Sequence, residues 1–234
     1  MERLTPIRKR LLIIDRDREG LLSVASQFPN CRPVVVDLAV ESELEDLLRG
    51  KEWNEYPISE LYACAGIGLR GRIQDISLQS HQKMFSINVL SRLALAQVTI
   101  KGMQRRQFGR VVFISSSSAF QPLPFMATYA ATNSALLSMG EAWSHEIADQ
   151  GIHMMIVCPG GMQTNFQKSG GVKEVEGEKL MSPNDVAQEI LRGLTERRTT
   201  LIVSFRSFAM SLLARVLPRK VSLRLWGRLM EKMR

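Results

Sequence analysis

The six residues from Gly66 to Gly71, GIGLRG, follow the apolar run LYACA and spell G-x-G-x-x-G, the pattern whose backbone amides can cradle a dinucleotide pyrophosphate. Further along, Asn88 lies in the helical run FSINVLSRLAL and Ser116 follows the apolar run RVVFIS. Tyr129, in TYAATNSAL, stands 13 residues after Ser116. An amide, an alcohol and a phenol are groups that hold and pass protons. Other chemistries find little support. Cys31, Cys64 and Cys158 are far apart with no C-x-x-C, and His81, His145 and His153 lack metal-ligand spacing. They read as buried reduced thiols and as surface or internally satisfied histidines, with no metal.

The elements that must position these groups alternate. Apolar, mostly β-branched runs at 10–15 (RLLIID), 33–38 (PVVVDL), 61–66 (LYACAG), 110–115 (RVVFIS), 152–160 (IHMMIVCPG) and 200–205 (TLIVSF) read as strands. The amphipathic segments between them, notably 78–106 and 126–149, read as helices. Continuous apolar strands separated by helical crossovers mean a parallel sheet covered on both faces, a doubly wound, Rossmann-like α/β fold. With 234 residues, 45% of them hydrophobic, the chain can bury one core, expected over 1–205, with a tail over 206–234. The polar, glycine-bearing stretch 163–183 has no period and is expected to be a mobile lid beside a site. No window reaches the roughly 18 apolar residues a spanning helix needs, and MERLTPIRKR lacks the apolar centre of a signal peptide. The expectation is a soluble, cytoplasmic protein.

The glycine pattern fails its own tests. A dinucleotide fingerprint opens the first strand–helix unit, puts a helix N-terminus at the phosphate and is followed about 20 residues on by an acidic residue. GIGLRG follows the third recognisable strand, RIQDIS delays the next helix to about 77–80, and no Asp or Glu occurs between Asp75 and Glu141. The loop is expected to be a turn after a strand rather than a phosphate cradle.

Asn88, Ser116 and Tyr129, together with ACAG at 63–66 and PGGMQT at 159–164, resemble in order and interval the short-chain dehydrogenase/reductase family over nearly the whole chain. The resemblance implies NAD- or NADP-dependent interconversion of a carbonyl and an alcohol. It makes Tyr129 the general acid/base, Ser116 the hydrogen-bond partner of the reacting oxygen and Asn88 the support of a water and proton relay. It implies that Asp15 binds the adenosine ribose, favouring NAD, that Arg16 can accept a 2′-phosphate, and that Asp37 and Leu38 meet the adenine. Ala65 and Gly66 keep the small residues at the cofactor, with Cys64 in place of an asparagine, and Pro159, Gly160 and Thr164 face the nicotinamide amide. Phe120, Leu123, Phe125, Met162 and Phe166 stand where substrate would approach and suggest an apolar small molecule. The helices at 78–106 and 126–149 imply a homo-oligomer.

Two departures qualify the resemblance. The family's lysine, four residues after the tyrosine, stabilises the phenolate and holds the nicotinamide ribose; here the position is Asn133. An amide can bond a ribose hydroxyl but cannot lower a phenol that ordinarily titrates near 10. Between Arg110 and Lys168 there is no Lys or Arg, so no substitute is evident and proton transfer is expected to be impaired. Secondly, RLLIIDRD reads as the family's second strand ten residues from Met1, with MERLTPIRK as the remnant of the first helix. The first strand and its T-G-x-x-x-G-x-G loop are then missing, through a start placed too late or a truncated relative. The second strand must pair with the fourth or leave a gap, and dinucleotide binding is expected to be weak. A catalytically silent binding or membrane-surface scaffold is the alternative these departures support.

The net charge of +8 is uneven: from Leu201 onward eight Lys or Arg face Glu231 alone. Stacking aromatics are not interleaved with these charges, which argues against nucleic acid. Lys220, Arg224, Arg228 and Lys232 recur every fourth residue beside Val221, Leu225, Leu229 and Met233, with Trp226 and Met230 widening the apolar stripe. This amphipathic helix either packs on the domain, on the substrate cleft or across a dimer, or attaches 206–234 to an anionic membrane surface with Trp226 at the interface. SFAMSLLARVLP is expected to be a second short helix ended by Pro218.

Overall fold

The computed structural model describes residues 10–54, 56–164, 166 and 180–232, and the chain divides into two compact units, one ending at Tyr56 and one beginning at Pro57. MERLTPIRK and most of the expected lid lie outside the described residues.

The first unit runs β1 (Leu11–Asp15), α1 (Arg18–Ala25), β2 (Cys31–Val35), α2 (Glu41–Arg49) and a single turn, α3 (Lys51–Asn54). β1 and β2 pair in parallel, from Leu11 opposite Cys31 to Asp15 opposite Val35. α1 starts where it does because Asp17 caps it, its carboxylate accepting from Gly20 N at 3.2 Å. Ile13, Leu21, Val36, Leu44, Leu47 and Trp53 form the apolar interior. β2 ends earlier than the apolar run suggests, because turn chemistry takes over at Asp37: its N–H donates to Glu43 and its carboxylate accepts from Ala39 N at 2.9 Å.

The second unit runs β3 (Glu60–Ala63), α4 (Leu78–Phe85), a π-helical turn (Ser86–Leu90), α5 (Ser91–Arg106), β4 (Gly109–Ile114), α6 (Ala127–Glu146), β5 (Ile152–Cys158), α7 (Pro183–Thr195), β6 (Thr200–Ile202), α8 (Phe205–Val216) and α9 (Arg219–Lys232). Its sheet is parallel in the order β3-β4-β5-β6. The centre of the sheet is fully enclosed: Val111, Val112, Phe113 and Met155 to Cys158 are inaccessible to solvent. That burial on both faces is why these strands read as unbroken apolar runs. α4 begins at Leu78 behind a Ser77 cap, as the sequence implies, with a 3₁₀ turn at Ile73–Asp75 between it and the glycine loop.

Of the two expectations for the second family strand, direct pairing with the fourth is not found. Among the described residues β1 forms its ladder with β2 and β3 forms its ladder with β4, in two separate sheets. No helix of the described residues is long and apolar enough to cross a membrane.

The tail belongs to the second unit and corrects one expectation. Trp226 is 5% exposed and Met230 is buried with it, so the tryptophan faces the protein rather than a membrane interface. α9 lies beside Pro124, and its Met230 carbonyl accepts from Arg70. α8 packs on the turn at Ser117–Phe120 and is inverted: Ser207 and Ser211 face inward, whereas Phe205 (86%), Val216 (74%), Phe208 and Leu212 are exposed. Small serines suit the inward face, because the Ser207 hydroxyl occupies the space beside Gly160. The thiols are also not uniformly buried. Cys158 is, Cys31 is partly so and Cys64 is exposed.

Candidate active site

β3 and β4 end side by side, and the polar residues singled out above gather around their C-terminal ends. Beyond β3 the chain passes through Ala65, Gly66 and Ile67. Asn88, in the π-helical turn, holds this segment from both sides: its carbonyl accepts from Ile67 N at 2.8 Å and its amide donates to Ile67 O at 2.9 Å. The same amide donates to Thr132 Oγ1 at 3.2 Å, and the threonine donates to Tyr129 O at 2.9 Å. A π-turn aims one extra side chain inward. Here it joins the β3 end to α6.

Beyond β4, Ser116 has extended backbone and caps the turn at Ser117–Phe120, its hydroxyl accepting from Ser118 N at 3.1 Å. Ser117 N donates to Pro159 O at 2.8 Å, tying this turn to the end of β5. Ser116 stands near enough to the Tyr129 phenol to pull its titration down, so the pair that sequence spacing brings together share one neighbourhood. Tyr129 lies on the first turn of α6, partly exposed, its ring 5.5 Å from that of Phe166. Burial pushes the phenol above its ordinary value, while Ser116, then Arg92, then Asn133 pull it back. Ser118 Oγ, buried and with no formal hydrogen-bond partner among the described residues, lies close enough to act in the same direction.

Asn133 is turned into the core. Its amide donates to Tyr129 O at 2.9 Å and its carbonyl accepts from Ser115 Oγ at 3.3 Å. One helical turn separates Asn133 from Tyr129, so their register is the one the sequence spacing requires.

Arg92 is the residue that reading along the chain missed, and it corrects the expectation that no cation stands near the tyrosine. It lies on α5 four positions after Asn88 and is 4% exposed. Its Nε and Nη2 donate to Ala65 O at 3.0 and 2.6 Å, and its Nη1 donates to Ile114 O at 2.6 Å. Burial pulls the guanidinium down to about 10, and it remains a cation at neutral pH. The signal was present, an arginine in the apolar run VLSRLALAQV in phase with Asn88, but its partners lie on other elements.

The other expected site residues divide between the units. In the first, Asp15 ends β1 and Arg16 follows it, both exposed, and Asp37 and Leu38 follow β2. Asp15 accepts from Asp17 N at 3.0 Å, and Arg16 stands 3.7 Å from the Asp37 carboxylate. A shallow groove of about 550 Å³ is lined by Arg16, Asp17, Val35, Asp37 and Glu43. In the second, Pro159 is buried, Gly160 lies against α8 and Thr164 is exposed. Phe125 and Thr128 line a cavity of about 440 Å³ that includes Leu69, Ile76 and His81 but neither Ser116 nor Tyr129. Among the described residues no cluster of ligating side chains could hold a metal.

A family model described as short chain dehydrogenase matches residues 4–174. The 3-ketodihydrosphingosine reductase of Bos taurus is 24% identical over 198 residues, which are 78% of this chain and 60% of the bovine protein. The chain thus spans about 60% of that relative's length. Two solved structures superpose with a TM-score of 0.80. A short-chain dehydrogenase from Sphingobium yanoikuyae in complex with NADPH is 20% identical and is covered over 90% of its chain and 93% of this one. A short chain dehydrogenase/reductase from Burkholderia phymatum in complex with NAD is 19% identical, with 86% and 91% covered. At these identities the superpositions speak to the fold.

Proposed function

Because the chain belongs to the short-chain dehydrogenase family, we propose that it is an oxidoreductase interconverting a carbonyl and an alcohol on an apolar small molecule with NAD or NADP. The observation that carries this reading is the convergence of Asn88, Thr132 and Asn133 on Tyr129 at the ends of β3 and β4, where Ser116 bears on the phenol. In reduction Tyr129 gives its proton to the substrate oxygen, which the Ser116 hydroxyl holds in place, and Asn88 supports the relay that reprotonates the phenolate. The nicotinamide, when bound, supplies or takes the hydride. Pro159, Gly160 and Thr164 are proposed to meet its amide, with Ala65 and Gly66 alongside. Asp15 favours NAD and Arg16 favours NADP, so both cofactors belong in the assay. Asn133 carries no charge, and turnover is expected to be slower than in the Asn133→Lys variant.

The test is NADH and NADPH oxidation with a panel of apolar ketones, using Tyr129→Phe as the control. Turnover that falls at least about a hundredfold in the control supports the reading. No turnover in the parent, or equal turnover in the control, overturns it in favour of a silent scaffold.

A second proposal, peripheral attachment to an anionic bilayer, rests on the inverted α8. Its outward Phe205, Phe208, Leu212 and Val216 belong to a tail in which Arg206, Arg219, Lys220, Arg224 and Arg228 are also exposed. Apolar side chains among cations with hardly an acid suit anionic headgroups. A second copy meeting the same face would set like charges together, so a homo-oligomer, also proposed, uses the α4–α5 and α6 faces instead. Co-sedimentation with phosphatidylserine vesicles, abolished by Phe205→Asp with Val216→Asp, is expected; no binding at low salt refutes it.

A further inference from the structure

The second unit holds a cavity that the oxidoreductase reading does not use. It is the space of about 440 Å³ walled by apolar Leu69, Ile76, Met84 and Phe125 together with His81 and Thr128. Neither Ser116 nor Tyr129 lines it, and of the apolar residues expected at a substrate only Phe125 does. Its volume and its mainly apolar wall with a few polar groups are those of a small-molecule pocket. The wall is kept under backbone strain. Phe125 stands in the left-handed region at φ 65°, where a bulky side chain is rare, and its carbonyl accepts from Gly71 N at 2.9 Å. That bond ties the loop after β3 to the segment entering α6, the two sides of the cavity.

One polar atom here is left unanswered. His81 Nδ1 and Thr128 Oγ1 are hydrogen-bonded at 2.7 Å, whereas His81 Nε2 is buried and has no hydrogen-bond partner among the described residues. The Thr128 hydroxyl makes no other hydrogen bond among the described residues, so its proton goes to Nδ1 and the ring proton of the neutral imidazole stands on Nε2. In the imidazolium Nε2 carries a proton as well. The cavity therefore offers a buried N–H donor, and leaving it unpaired costs free energy that an acceptor recovers. A single water would take up only roughly 30 Å³ and leave the apolar remainder empty. Charge selects the kind of acceptor. Arg72 is the one Lys, Arg, Asp or Glu in the lining, and Asp75, the only acid in the loop from Leu69 to Ile76, is not part of it.

We propose that this cavity is a second ligand site, which takes a small apolar carboxylic acid as its carboxylate. A carboxylate oxygen accepts from His81 Nε2, the exposed Arg72 supplies the countercharge, and the hydrocarbon lies against Leu69, Ile76, Met84 and Phe125. The site goes beyond the oxidoreductase reading, since it needs neither a nicotinamide nor the Ser116 and Tyr129 side chains.

The experiment is calorimetric titration of the cofactor-free full chain with octanoate, with 1-octanol and octylamine as the uncharged and cationic ligands of the same chain length. Octanoate is expected to saturate one site per chain below about 1 mM, with the alcohol about tenfold weaker and the amine not bound. His81→Phe removes the donor and keeps a flat ring, and is expected to weaken octanoate about tenfold or more. Arg72→Gln, at an exposed position, keeps the test decisive should the histidine variant fail to fold: octanoate weakens about threefold or more and 1-octanol is unchanged. The His81 imidazole ¹⁵N resonances, assigned with His81→Phe, are expected to move on adding octanoate. No saturable binding, equal binding of acid, alcohol and amine, or binding that leaves the His81 resonances unmoved overturns the proposal. Binding lost in Tyr129→Phe also overturns it, by placing the acid at the Tyr129 side chain instead. No turnover is measured, so failure of the oxidoreductase reading leaves this result intact.

Discussion

Asn88→Ala removes the clamp between the β3 end and α6. The side chain makes three hydrogen bonds, at 2.8 and 2.9 Å to Ile67 and 3.2 Å to Thr132, from a buried position. A typical intramolecular hydrogen bond contributes about 0.5–1.5 kcal/mol net, and a buried partner left unsatisfied costs about 1–3 kcal/mol. Ile67 is only partly buried, so water recovers part of the loss at its N–H and C=O, whereas Thr132 is inaccessible and keeps its own bond to Tyr129 O. The expected destabilisation is about 2–4 kcal/mol. With a urea slope of about 2 kcal/mol per molar, the unfolding midpoint falls by about 1–2 M. Thr132→Val removes the weakest of the three bonds, so the double variant should be less destabilised than the sum of the singles. A midpoint shift worth less than about 1 kcal/mol in Asn88→Ala, with unchanged slope, refutes the clamp.

Three further outcomes follow from local geometry. The Tyr129 phenol is held above its ordinary value, so it is protonated at neutral pH and ready as an acid. Ketone reduction should therefore be nearly flat from pH 6 to 8, while alcohol oxidation, which needs the phenolate, should climb about tenfold per unit toward pH 10, as rate profiles will show. Gly151 has φ of 68° and a Cβ there would strike the Gln107 carbonyl, so Gly151→Ala should lose about 2 kcal/mol or more in thermal or urea unfolding. Gly140 brings α6 against β5: a Cβ would lie 2.5 Å from Ile156 Cγ1, and Ile156 is fully enclosed. Gly140→Ala should therefore destabilise by about 1 kcal/mol despite a comparable gain in helix propensity, as overpacking outweighs it.

The sequence by itself determined the alternation of strands and helices, because buried parallel strands and amphipathic helices leave periods that local reading detects. It also determined that Tyr129 and Asn133 share a helix face and that GIGLRG is a turn, since both follow from counting residues. Tertiary structure decided what counting cannot reach. Periodicity shows which residues of a helix lie together, not which side the protein covers. Ser207 and Ser211 of α8 turned inward, Phe205 and Val216 turned outward, and Trp226 became buried. The electrostatic setting of Tyr129 is a through-space property. Arg92 stands 37 positions before the tyrosine on another helix, and only the meeting of α5, α6 and the β3 and β4 ends makes it a neighbour.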